Sequence, residues 1–169
     1  MPPLAVRSLL DLLEDAYQRR AWHGPNLKGS IRGLSAEEAA WAPSLRRHSA
    51  WEIAVHCAYW KYSVCRRILG AKRGSFPLSG SNWFGRPADI TDAAWNRDRE
   101  ILDSMHRRLI TAVASCAVAD LSAIPPGSRS SLRTIISGAA MHDVYHAGQI
   151  QLLKRLRKER SSPARHSER

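Results

Sequence analysis

No apolar run in this chain approaches the roughly 18 residues that a membrane-spanning helix needs, so a spanning helix is excluded. Cysteine is scarce. Cys57, Cys65 and Cys116 are odd in number and widely spaced, with no Cys-x-x-Cys pair. That argues against a disulfide framework and against a closed Cys-type structural zinc site. The opening Met-Pro-Pro-Leu-Ala-Val-Arg meets acids at Asp11 and Glu14 and lacks a signal peptide's order of regions. A reducing, cytoplasmic location is the expectation. No stretch alternates apolar and polar residues over a useful strand length, and no internal repeat is visible.

Acidic residues are also in short supply, 15 against 26 Lys and Arg, for a net charge of +11. Residues 154–169 carry seven basic residues against Glu159 and Glu168, and the rest is scattered in pairs such as Arg46-Arg47, Arg66-Arg67 and Arg107-Arg108. No helix-turn-helix, zinc-finger or RNA-recognition signature accompanies these charges, so nucleic acid is not an expected partner. They read as a solvated surface and a basic tail over 158–169 that is expected to be disordered.

What the chain does have is helical periodicity. An apolar content of 44% with six tryptophans supports a packed core, and 169 residues suit one domain, placed at 1–157. Leu9, Leu12, Leu13, Ala16 and Tyr17 form a stripe within about Leu4 to Arg20, stopped by His23-Gly24-Pro25. Ser35 and Glu38 make a capping box for a short helix. Ser49 and Glu52 make another, opening a long helix that Gly70 ends. Thr91 caps a third long helix to about Ser115, and Ser131 a fourth to about Arg157. Between the second and third, residues 71–90 form a Gly/Pro-rich crossover holding Asn82-Trp83-Phe84, of which Trp83 or Phe84 is a candidate lid. Asp120 to Ser130 reads as a turn, with 120–124 extended at most. The fold class is all-α, a four-helix bundle with a long crossover connection.

Chemistry concentrates on three histidines. His142 and His146, four residues apart, share one face of the last helix, on the stripe Leu132, Ile135, Ala139, Ile150 and Leu153. A buried neutral imidazole must satisfy a donor and an acceptor, and one metal ion resolves two acceptors at once. His56 lies between Ile53 and Trp60 on the apolar arc of the second long helix, and facing helices of bundles supply inward metal ligands. Each histidine alone reads more readily as a hydrogen-bonded core residue; it is the pair, and then the third, that points to a metal. Glu52, Asp143 and Gln149 are candidates to support the ligating rings, although Glu52 has its capping duty and Asp143 points about 100° from His142. His23, His48, His106 and His166 read as surface or boundary residues. Three imidazoles suit zinc, nickel, copper or iron and leave positions for water or a thiol.

The stretch His48-Ser-Ala-Trp-Glu-Ile-Ala-Val-His56 with Ala58-Tyr-Trp-Lys61 resembles the second-helix signature of the DinB/YfiT-like superfamily. His142-Asp-Val-Tyr-His-Ala-Gly-Gln-Ile150 is similar to that family's last-helix signature, and Trp22-His-Gly-Pro25 and Asn82-Trp-Phe84 resemble its loops. The resemblance implies a four-helix bundle whose His56, His142 and His146 hold a divalent metal, commonly zinc or nickel, and a homodimer. It also implies, for some members, metal-dependent transfer of a low-molecular-weight thiol to a small electrophile; a non-catalytic, metal-stabilised binding or stress-response module is the alternative.

Overall fold

The computed structural model describes residues 1–85 and 87–161. Among them are six α-helices: α1 (Leu4–Tyr17), α2 (Leu27–Ile31), α3 (Ala36–Ala40), α4 (Ala50–Ile68), α5 (Asp92–Ala114) and α6 (Leu132–Ser161). A 3₁₀ turn spans Ala119–Ser122, where the sequence reading had a turn or an extended piece. There the Asp120 carboxylate accepts the Ala117 N–H at 3.2 Å and tightens the chain into that turn. No strand occurs among the described residues, and no helix there is long and apolar enough to cross a membrane.

The four long helices form the bundle. Helices α1 and α4 each pack on both α5 and α6, so α1 and α4 occupy opposite corners. Segments 18–49, from α1 to α4, and 115–131, from α5 to α6, join opposite corners and must cross the bundle end, whereas 69–91 joins the adjacent helices α4 and α5. The capping boxes form as their spacing requires. The Ser49 hydroxyl accepts the Glu52 N–H at 3.2 Å while the Glu52 carboxylate accepts the Ser49 N–H at 2.7 Å. At the other end of α4, Gly70 takes φ +63°, the left-handed stop that ends a helix. Helix α2 carries no strong apolar period; Asn26 creates it by accepting the Gly29 N–H at 2.7 Å and donating to the Arg19 carbonyl at 2.6 Å. Helix α6 runs one turn beyond Arg157, into the segment read as tail, because Arg157 pairs with Glu38 and Lys154 donates to the Ser30 carbonyl. The rest of that tail, 162–169, lies outside the described residues.

The core is split in two. One apolar cluster gathers Trp51, Ala54, Tyr62, Trp95 and Leu102 near the start of α4; the other gathers Leu13, Val64, Leu109, Val113 and Ile136. Both tryptophans of the first cluster satisfy their indole N–H, Trp51 on Asp98 at 2.6 Å and Trp95 on the Leu34 carbonyl at 3.0 Å.

A polar layer lies between the clusters. Lys61 of α4 and Asp143 of α6 form an ion pair with both side chains 1% exposed. The Lys61 ammonium sits 4.6 Å over the Tyr17 ring, whose hydroxyl donates to Asp103 at 2.5 Å. His106 stacks on that ring, 3.9 Å between centroids, and its Nε2 lies 3.3 Å from Glu14. The sequence reading of His106 as a surface residue is therefore wrong: it is 1% exposed, and burial holds its ring well below the usual histidine range. Its Nδ1 and the Asp143 Oδ1 are buried without a hydrogen-bond partner.

Removing one member of a buried pair strands the other, at a cost of about 3–5 kcal/mol. Lys61→Met and Asp143→Leu should each lower unfolding free energy by about that amount, measured by urea denaturation, whereas the double variant should lose far less. Additive losses would show that the two side chains are not energetically coupled.

Candidate metal centre

Helix α4 presents His56 and helix α6 presents His142 and His146, one turn apart, toward the same point. The His142 Nε2 lies 3.1 Å from the Nε2 of His56 and 3.1 Å from that of His146. Nitrogens that each sit about 2.0–2.1 Å from a shared ion are about 2.8–3.4 Å apart in octahedral to tetrahedral arrangements. The geometry therefore fits a single ion held by three imidazoles.

Tautomers strengthen the case. The His56 Nδ1–H donates to the Asn82 carbonyl at 2.8 Å, so its Nε2 carries a lone pair. The His146 Nδ1–H donates to the Gln149 Oε1 at 2.7 Å, so its Nε2 carries one as well. His142 Nε2 holds at most one hydrogen and faces both. At least one of the two short contacts thus opposes two lone pairs, and a cation between them turns that repulsion into ligation.

Protonation does not offer the same relief. Burial, and then the charges of its histidine neighbours, pushes His56 down to about 4 and His142 down to about 3. Burial lowers His146 too, against its bond to Gln149. All three rings are neutral near pH 7, the state that binds metal.

Asn82 fixes the His56 ring twice over. Its backbone takes φ +64°, a left-handed conformation that Asn tolerates, and this aims its carbonyl at His56. Its side-chain Oδ1 accepts the Trp60 indole N–H at 3.0 Å. Trp83, the next residue, lies flat against His56 with centroids 3.7 Å apart and 7° between planes. His48 covers the opposite face of Trp83 at 3.6 Å. Trp83 is thus a fixed wall of the site, while the other candidate lid, Phe84, is buried in the core beside Tyr59 and Phe76.

The supporting candidates divide. Gln149 does hold the His146 ring, and its own amide N–H is in turn engaged by Tyr145, donating to the hydroxyl at 3.0 Å. Glu52 is placed on Ser49, with its other oxygen 3.9 Å from His48. Asp143 turns to Lys61. It also lies close to Cys57 and His142, a second grouping of ligand atoms. Lys61 already neutralises that carboxylate, and burial pushes the Cys57 thiol well up, away from the thiolate that binds metal. The histidine triad is the better site.

A cavity of about 860 Å³ opens on the triad. Ile53 and Trp83 line it beside the histidines, and Tyr145, Leu152, Leu153 and Leu156 continue it along α6. Arg46 and Arg47, which read in the sequence as scattered charge, and His48, which reads as a boundary residue, form its other rim. Three imidazoles that could hold an ion thus open on a cavity rather than being closed off by a fourth side chain among the described residues.

A helical bundle with an inward His triad from two helices is the class that fold and site define. The family model of the DinB superfamily matches residues 11–150, and the chain belongs to that superfamily. Comparison with curated proteins and with solved structures returned no significant match.

The neutral triad sets a pH dependence. In an unfolded chain these rings take up protons near pH 6.5, whereas folded His56 and His142 do so only at about 4 and about 3. Between those values the unfolded state binds more protons, so stability falls as pH drops from about 6.5 through about 4 toward about 3. Asp143, pushed up to about 6 by burial, works in the opposite direction and must be separated. Chelator-treated His56→Gln/His142→Gln protein should therefore show a shallower acid loss of its denaturation midpoint than chelator-treated wild type. Equal acid slopes would remove the triad from the balance.

Proposed function

We propose that this protein is a metal-dependent enzyme in which His56, His142 and His146 hold one divalent ion, zinc or nickel, and that a low-molecular-weight thiol or a water molecule is transferred there to a small electrophile. The observation that carries the reading is the lone-pair arrangement of the three Nε2 atoms beside an open cavity. A divalent ion so held lowers the pKa of a bound water or thiol and supplies a nucleophile at neutral pH.

The chain's own residues do the rest. Asn82 and Gln149 fix the rings of His56 and His146 through their Nδ1 protons, which keeps each Nε2 a lone pair aimed inward. Trp83 seals one face of His56 against water. The α6 leucines provide an apolar surface for the substrate body beside the reacting position. Membership of the DinB superfamily supports both the metal and the thiol, the latter by resemblance to members that use one.

Protein purified without chelator should contain about one divalent ion per chain by elemental analysis, and His56→Ala and His146→Ala should each lose it. A panel of thiols offered with an electrophilic arene should then show turnover that chelator abolishes. Metal-free wild type fails the whole reading. Stoichiometric metal, a melting temperature that falls on chelation and no turnover in the panel would instead identify a non-catalytic, metal-stabilised module.

A further inference from the structure

The cavity on the triad has an uneven electrostatic lining. Arg46, Arg47 and His48 stand on one rim, and among the described residues no Asp or Glu lines the cavity. Some arginines elsewhere are engaged within the chain, as Arg19 is with Asp11, Arg157 with Glu38 and Arg67 with Ser63. Among the described residues the guanidinium groups of Arg46 and Arg47 have no such partner; they stand on an exposed turn in which the Arg47 backbone N–H donates to the Ser44 carbonyl at 3.1 Å. The opposite bank is apolar. Tyr145, Leu152 and Leu156 share one face of α6 at 64%, 56% and 37% exposure. From His146 to Leu156 that face runs about 15 Å.

The trough therefore has three zones: a reacting end at the histidines, an apolar floor along α6 and a doubly cationic bank. A neutral or cationic ligand would leave both guanidinium groups unmatched, and a divalent ion in the triad would add positive charge to a cavity that no described carboxylate lines. An anionic group fits, because guanidinium pairs carboxylates in a planar two-point geometry.

We propose that the substrate is an elongated organic anion, a carboxylate on an apolar body, whose charged group is bound by Arg46 and Arg47 while its reacting end lies at the histidine triad. This rests on the metal-dependent reading for the reacting end alone; the arginine bank binds the carboxylate whether or not metal is present. The arginines select the substrate by charge, and the α6 face selects it by length and apolarity.

The test compares three probes of one shape by calorimetry: 4-phenylbutyrate, its neutral amide and 4-phenylbutylamine. Metal-loaded wild type should bind the carboxylate about tenfold tighter than the amide, with the amine weakest. Arg46→Ala/Arg47→Ala should bring carboxylate and amide to within about twofold with metal content unchanged, and Arg46→Lys/Arg47→Lys should keep part of the preference in a salt-sensitive form. Chelator-treated wild type should retain the carboxylate preference. Equal binding of acid and amide overturns the proposal, as does a carboxylate preference that survives the double alanine variant. Loss of that preference on chelation alone overturns it too, because the carboxylate would then have been reading the metal. No saturable binding of the carboxylate overturns it as well. A metal-free chain that still shows the arginine-dependent preference sinks the metallo-enzyme reading and leaves this one standing.

Discussion

The ion pair of Lys61 with Asp143 is the constraint on which the rest of the bundle depends. It joins α4 to α6 at a level where both side chains are 1% exposed, and it divides the apolar core into two clusters. Two apolar faces slide past each other at little cost, whereas a buried charge pair has one register in which both charges are matched. That register decides where the triad falls. His142 is the residue before Asp143, His146 is one turn beyond, and His56 is five residues before Lys61 on the facing helix. Locking Lys61 to Asp143 thus sets the helix alignment that brings three imidazole nitrogens to 3.1 Å spacings.

The pair also manages charge. An ammonium this close to the site lowers the affinity of His142 for a proton, and the same repulsion would act on a metal ion. Asp143 offsets it within the same layer. The neighbouring Tyr17, Asp103 and Lys28 repeat the arrangement at the other side of the core, where the Tyr17 phenol, pushed up by burial, stays a neutral donor to a carboxylate shared with Lys28. The closed polar layer and the open histidine site therefore divide the work, one fixing helix register and the other facing the cavity.

The elements that could be read from the sequence were those with local causes. Ser35 with Glu38 and Ser49 with Glu52 are three residues apart, and Gly70 needs no partner at all, so the helix boundaries they set follow from short-range chemistry. The triad was legible because a four-residue spacing and a shared apolar stripe survive translation into a helix. What escaped was held by distant or backbone atoms. His106 is buried by Tyr17 and Glu14, 92 residues from the latter, and nothing beside Arg107-Arg108 announces them. Asn82 acts on His56 through its carbonyl, an atom every residue has; only the Asn in a Gly-rich loop hinted at a left-handed turn. Lys61 did carry a signal, a cation amid the apolar arc of α4, but its partner lies 82 residues away.

Glu52 shows how one local motif reaches the site without touching its chemistry. Its carboxylate holds both the N–H and the hydroxyl of Ser49, at 2.7 and 2.9 Å, so the first turn of α4 starts in one conformation. The chain leaving that turn is His48, then Arg47 and Arg46. His48 is pinned again by its flat stacking on Trp83, which rests on His56. The capping box, the tryptophan sandwich and the ligand ring are therefore mechanically continuous, and the cationic rim is anchored to the triad rather than left on a free loop. On the other bank α6 runs fifteen residues past His146 and carries the apolar floor on a rigid helix. A site with both banks tied to the histidine triad is preorganised for one orientation of a long ligand, and under the proposed reading that puts its charged group at the turn and its other end at the histidines.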